Sequence, residues 1–174
     1  MFSNNRCNIR IVPVLTLAAA IVFGLAMFIP VAQAEQPFEL TDCWSAKVTM
    51  LTQSKELTIL SSDVLGMTMS ENKLFNNLTS NCLCLRSFMG GKQKGTCYSK
   101  FMDADGDFFI TEAIRTGTEV GPGSTWKFLE GTGKFKGITG GGKASFTASN
   151  AKRPIRPGMV QGRLKMVGTF ELPK

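Results

Sequence analysis

Four of the five cysteines carry the most distinctive chemistry of this 174-residue sequence: Cys43, Cys82, Cys84 and Cys97. Thiols in such numbers form disulfides or bind metals. Cys82 and Cys84 are separated by one residue, which is tighter than the usual spacing of a zinc knuckle, and the other two cysteines form no second knuckle. We therefore expect two disulfides and no metal site.

Strand geometry predicts the pairing of these cysteines. Two strand-like segments flank a turn at Gly91, and folding the chain there sets Cys84 opposite Cys97. Neighbouring strands meet the Cα separation that a disulfide needs, about 4.4 to 6.8 Å. Cys43 would then pair with Cys82, and a bond from Cys82 to Cys97 is the nearest competitor if the register is shifted. Removal of a signal peptide containing Cys7 would leave four cysteines, and an even number in an exported chain supports this interpretation.

Histidine is absent, which excludes nucleophilic systems of the Ser-His-Asp and Cys-His types, histidine-ligated zinc or haem, and a histidine general base. The sequence also lacks the G-x-S-x-G pattern of a serine nucleophile. No motif indicates a cofactor. Whether the protein is an enzyme stays open at this point.

Glu112 is the sharpest candidate for an acid or base that faces a ligand. On its predicted strand it shares parity with Phe108, Ile110 and Ile114, and a carboxylate on an apolar face is costly unless it is paired, hydrogen-bonded or protonated. The alternative is a position at the rim, or an ion pair with Arg115 or a lysine.

Three aromatic residues have the parity of an interior face: Trp44, Trp126 and Phe128. They are candidates for a ligand-binding wall, although aromatic residues are also common core fillers. Tyr98 follows Cys97, so it faces outward if the disulfide faces inward.

The acidic run at residues 103–107 imitates a calcium-binding loop. An EF-hand needs glycine at its sixth position and glutamate at its twelfth, and those positions hold Phe108 and Ile114. We interpret the run as a hairpin turn that uses its Asp-Gly pair for the reversal.

Hydrophobic periodicity after the N-terminal region is close to two almost everywhere. From residue 160 to 172 the even positions are apolar or glycine and most odd positions are polar, which indicates a half-buried strand. About eight such segments alternate with turns rich in Gly, Asn, Asp and Pro. This pattern predicts an all-β fold, a closed antiparallel eight-stranded barrel whose interior holds side chains or one small ligand.

The N-terminus predicts export. Arg6 and Arg10 precede an apolar run at 11–29, and residues 32–34 supply a small-x-small cleavage pattern. We predict a signal peptide at 1–34, a single barrel domain at 35–174, and a periplasmic or secreted protein. The apolar run is also long enough for an uncleaved membrane anchor. Cleavage lowers the net charge from +7 to +5, and the basic residues lack the clustering of a nucleic-acid surface.

A glycine-rich motif spans residues 129–146, in which turn-prone glycines surround two large apolar residues. We expect a turn, a short plug that closes the barrel end, and a strand. The motif consists of Gly131, Gly133, Phe135, Gly137, Ile138 and Gly140.

This motif resembles the signature of allene oxide cyclase and dirigent-type β-barrels and their bacterial secreted relatives. The resemblance implies a calycin-like barrel and, by analogy, a lumen that holds a reactive apolar intermediate. It carries no catalytic residue over to this chain.

Two functional hypotheses follow. In the preferred one, the protein is an exported binding module or assembly component whose barrel is filled or holds a small apolar ligand. In the alternative, it is a cofactor-independent cyclase or isomerase. The sequence indicates neither a nucleic-acid partner nor a membrane partner after cleavage, and it leaves self-association into a homo-oligomer open.

Overall fold

The structure is a computed structural model that describes residues 34–118, 123–149 and 156–173. The predicted signal peptide lies outside the described residues apart from its last residue, Ala34. In the part of the chain that is described, no helix is long and apolar enough to cross a membrane.

Eight antiparallel strands form a closed barrel in which each strand pairs with the next and the last pairs with the first. The all-β closed barrel predicted from the sequence is therefore confirmed. The strands are β1 (Gln36–Gln53), β2 (Leu57–Met69), β3 (Thr79–Met89), β4 (Lys92–Met102), β5 (Phe108–Thr118), β6 (Gly123–Gly131), β7 (Thr139–Ala148) and β8 (Met159–Glu171); a single 3₁₀ turn, Gly133–Phe135, lies between β6 and β7.

A two-residue turn joins β3 to β4. Gly90 and Gly91 have φ angles of 56° and 70°, in the left-handed region that two-residue hairpin turns require and that glycine adopts at little cost. This tight turn places Cys84 directly opposite Cys97.

The end of the barrel that contains the beginning of β1 is filled by aromatic side chains. Phe38, Phe75, Phe109 and Phe170 are almost fully buried, and Phe75 packs against the rings of Phe38 and Phe170 with centroid distances of 4.7 and 4.9 Å. We call this cluster the aromatic core; its other buried members are Leu40, Leu78, Phe101, Trp126, Phe128, Phe135, Ile138, Ala144 and Met166.

The glycine-rich motif closes this end. Phe135 is completely buried and Ile138 nearly so, and the Phe135 ring lies 5.0 Å from that of Phe109. Gly133 and Gly137 have φ angles of 48° and 76°, so the backbone reverses where a side chain would be strained. The motif thus forms a plug, and Phe75, from the connection between β2 and β3, adds a second plug that the sequence did not reveal.

The acidic turn between β4 and β5 holds the plug in place. Asp103 Oδ1 accepts hydrogen bonds from the backbone N–H groups of Asp105 and Asp107, both at 2.9 Å. Asp107 Oδ2 accepts one from the backbone N–H of Lys134 at 3.1 Å, and the Lys134 ammonium pairs with Asp103. The carboxylates therefore have structural partners.

The seam between β6 and β7 is the shortest in the barrel. These strands pair only between Gly123–Lys127 and Gly141–Ser145, because the plug departs from the sheet beyond that point. By contrast, β1 pairs with β8 from Gln36 to Lys47.

Candidate functional site

A narrow cavity of about 70 Å³ lies in the barrel above the aromatic core. A cavity of this size has room for a few water molecules or for one end of a ligand, because an engineered cavity that holds benzene measures about 150 Å³. Most of its wall is apolar, and the apolar side chains that line it include Trp44, Val64, Phe146, Leu164 and Met166.

A stack of three side chains forms one wall. The rings of Trp44 and Phe146 are stacked with centroids 4.7 Å apart, and the Arg86 guanidinium lies over Phe146 at 5.0 Å from the ring centroid. A cation over a ring face is favourable, more so when it is desolvated. The stack therefore holds a positive charge against the cavity.

A second arginine, Arg115, lines the same cavity from β5. Burial lowers the pKa of Arg86, and the positive charge of Arg115 lowers it further. Both effects disfavour the charged form of the Arg86 guanidinium. A negative charge near Arg86 would favour the charged form.

The indole of Trp44 adds an unused donor. Its Nε1 is buried and has no hydrogen-bond partner among the described residues, and the same is true of the Ser62 hydroxyl on β2. Buried N–H groups are usually satisfied, because leaving one unpaired costs about 1 to 3 kcal/mol. An acceptor oxygen close to such a group would satisfy it.

Asp42 lines the cavity two residues before Trp44 on β1, and only 3% of its surface is exposed. The Ser80 hydroxyl lies 2.9 and 3.0 Å from its two carboxylate oxygens, within donating distance of both. Burial raises the pKa of Asp42, and the Ser80 hydrogen bond only partly opposes this. The cavity thus contains a carboxyl group whose pKa is raised by burial.

Replacing Asp42 with asparagine should stabilise the protein increasingly as the pH rises above about 4. With its pKa raised, Asp42 binds a proton more tightly in the folded than in the unfolded state, so its ionisation lowers stability over this range. Melting temperatures of Asp42→Asn and the native protein across this range measure the effect, with exposed Asp63→Asn as the control. A constant difference between the two proteins would contradict the assignment.

Glu112 does not face the interior, and the prediction that it does is wrong. On β5 the buried side chains are at odd positions, such as Phe109 and Thr111, so Glu112 lies on the outer surface. There it accepts a hydrogen bond from Tyr98 at 2.9 Å and pairs with Lys127 at 3.1 Å. These partners lower the pKa of Glu112, with Lys127 first, so the ion-pair alternative describes its role.

The three predicted interior aromatics all point inward, but only Trp44 reaches the cavity lining. Trp126 and Phe128 belong to the aromatic core, with centroids 5.0 Å apart. Gly162 lies opposite Trp44 on β8, and a Cβ atom there would collide with the indole. The glycine therefore makes room for the ring.

The Cys84–Cys97 disulfide is formed, whereas Cys43 and Cys82 are free. The predicted Cys43–Cys82 bond is therefore wrong. Cys43 lies opposite Met67 and Arg163 in the neighbouring strands, both exposed on the outer surface. Cys82 lines the cavity, so the barrel wall separates the two thiols.

Strand parity could have revealed the polar residues that the sequence analysis missed. Asp42 precedes Trp44 by two positions, and Arg86 follows Cys84 by two. Residues two apart share a face of a strand, so the faces assigned to Trp44 and Cys84 already include Asp42 and Arg86. Arg115 required the correct parity of β5.

Fold and site together define a small closed barrel with one plugged end and an arginine-lined cavity. Comparison of the sequence with known protein families and with curated proteins finds no match. Similarity appears at the level of solved structures.

One similar structure is a protein with unknown function from the DUF3224 family of Shewanella oneidensis MR-1, with 12% identity and a TM-score of 0.51. The alignment covers 80% of this chain and 99% of that one. Another is the pterocarpan synthase dirigent protein GePTS1, with 11% identity, a TM-score of 0.50, and coverage of 81% and 93% respectively. The chain has a dirigent-like, allene oxide cyclase-like barrel, and at these identities the likeness is one of fold.

Proposed function

We propose that this protein is an exported binding module that captures a small apolar molecule bearing an anionic group. The observation that carries this proposal is the presence of two arginines at a cavity whose other walls are mostly apolar. Charge-assisted hydrogen bonds from arginine to a carboxylate are among the stronger polar interactions in proteins.

The unpartnered Nε1 of Trp44 supports an occupant with acceptor oxygens. The cavity volume of about 70 Å³ limits how much of the occupant enters. A short alkyl segment or a ring edge fits, and the rest of the ligand extends through the mouth of the barrel. The filled aromatic core excludes deeper entry.

Export is part of the proposal. The N-terminal sequence has the pattern of a signal peptide, and the Cys84–Cys97 disulfide is typical of oxidising compartments. Expression with the native leader, followed by N-terminal sequencing of the mature protein, tests cleavage after Ala34.

Octanoate should bind more tightly than octanol, and Arg86→Gln should weaken this preference. Losing one charge-assisted contact of about 1.5 to 3 kcal/mol weakens octanoate binding roughly tenfold or more, while octanol binding stays nearly unchanged. Isothermal titration measures both affinities, and the fluorescence of Trp44 reports occupancy.

Arg163→Gln provides the matched control, because it removes a guanidinium from the outer surface of β8. Trp44→Phe should abolish the ligand-dependent change in fluorescence, since Trp126 is packed in the core. Equal affinity for octanol and octanoate in the native protein would contradict the anionic class. Failure of both to bind would favour a filled structural barrel.

A cofactor-independent cyclase or isomerase is the second candidate, and Asp42 is the observation that favours it. A neutral buried carboxyl can donate a proton to a bound carbonyl, and its ionised form can accept one. The test is liquid chromatography and mass spectrometry of molecules co-purified from the native host. If the protein is an isomerase, the molecule co-purified with Asp42→Asn should have the same mass as the molecule co-purified with the native protein but a different retention time. If the protein only binds its ligand, the same molecule should co-purify with both.

A further inference from the structure

Three cysteine sulfur atoms meet on the wall of the cavity. The free Cys82 Sγ lies 3.5 Å from Cys84 Sγ, which is bonded to Cys97. All three sulfur atoms lie within 4.8 Å of one another. The arrangement follows from the strands, because Cys82 and Cys84 share one face of β3 and Cys97 is opposite Cys84 on β4. A thiol is therefore held in contact with a disulfide.

We propose that Cys82, Cys84 and Cys97 form a thiol–disulfide exchange site. The Cys82 thiolate attacks Cys84 Sγ, a Cys82–Cys84 bond forms, and the Cys84–Cys97 bond breaks. The electron pair of the broken bond stays on Cys97 Sγ, which takes up a proton in place of the one that Cys82 released to water. One disulfide and one thiol exist before and after, so no oxidant or reductant is consumed.

Exchange moves the thiol toward the positive end of the cavity. Cys82 lies opposite Val64 and Ser99. Cys97 and Gly95 are consecutive inward-facing residues of β4, and Gly95 lies opposite both Arg86 and Arg115. The Arg86 Nη2 atom is already 3.8 Å from Cys84 Sγ. Guanidinium groups stabilise a neighbouring thiolate, so exchange places the thiol closer to the groups that favour its thiolate form.

Burial and the charged groups around Cys82 determine how fast the exchange reaction proceeds. Burial raises the pKa of the Cys82 thiol, while the Ser99 hydrogen bond and Arg86 oppose this. The thiol is therefore mostly protonated at neutral pH, and exchange accelerates as the pH rises. The charged groups near it are Asp42 on β1, Asp63 on β2, Arg86 on β3 and, across the cavity, Arg115 on β5.

The test traps the two disulfide forms in the folded protein. The variant Cys43→Ser, which removes the outward-facing thiol, is incubated with limiting iodoacetamide at pH 7 and pH 9 and digested with trypsin without reduction. Trypsin leaves Cys82 and Cys84 on peptide 74–86 and Cys97 on peptide 95–100. In the resting form the two peptides stay linked.

We expect alkylated peptide 95–100 to be released, together with peptide 74–86 carrying an internal disulfide. The rate at which peptide 95–100 is released should rise by up to tenfold per pH unit, because the thiolate fraction of Cys82 rises in the same way below the thiol pKa. The variant Cys43→Ser/Cys82→Ser should release none, and its circular dichroism spectrum shows whether it is folded. Release at an unchanged rate from this variant would overturn the proposal. So would alkylation of Cys82 in Cys43→Ser without any release of peptide 95–100.

Discussion

Replacing Phe135 with alanine should lower the free energy of unfolding by about 3 to 5 kcal/mol. The ring is completely buried and packs against Phe75 and Phe109, so truncation leaves a cavity in the aromatic core. Because the plug is anchored by the acidic turn through Lys134, the backbone cannot easily collapse to fill that space.

Urea unfolding of Phe135→Ala measures the loss, and Leu129→Ala is the matched control. Leu129 lies just before the plug on β6 but is 46% exposed, so its truncation should have little effect. An unchanged unfolding midpoint for Phe135→Ala would mean that the plug does not support the core. Ligand binding should persist under conditions in which the variant is folded, since Phe135 does not line the cavity.

Removing the Cys84–Cys97 disulfide should cost about 3 kcal/mol, because the bond closes a short loop with a sequence separation of 13. Both cysteines are replaced by alanine together, so that Cys82 has no neighbouring sulfur with which to pair. The closed loop includes the β3–β4 turn, and the bond restricts the unfolded chain there.

Unfolding of Cys84→Ala/Cys97→Ala is compared with that of Cys43→Ala, which removes a thiol from the outer surface and should behave like the native protein. Identical midpoints for the double variant and the native protein would contradict the stabilising role. Adding a reductant should lower the midpoint of the native protein toward that of the double variant and leave the double variant unchanged.

The sequence was sufficient to predict the barrel and the Cys84–Cys97 pair, because each depends on local information. Alternation identifies strands, glycines identify the turns, and a two-residue turn fixes register. Phe75 was missed because it lies in the connection between β2 and β3, where no periodicity applies. Its burial depends on the closed barrel end that it fills.

The interior of β5 could not be assigned from alternation. Phe108 and Phe109 are adjacent, so the segment presents a large apolar residue at either parity. Strand pairing determines which face of β5 is interior, since Phe109 lies opposite Phe101 and both are fully buried. With this parity of β5, Glu112 faces outward and Arg115 faces inward. The polar groups of the site are therefore arginines on β3 and β5, and not the carboxylate of Glu112.

Closure of the sheet also limits the routes by which this protein can aggregate. A closed barrel presents no free strand edge, which is the template for cross-β polymerisation. The short β6–β7 seam is the place where two edges become available if the barrel opens transiently. Damage to the plug beside that seam therefore threatens solubility as well as stability, and the aromatic core acts as a safeguard against aggregation.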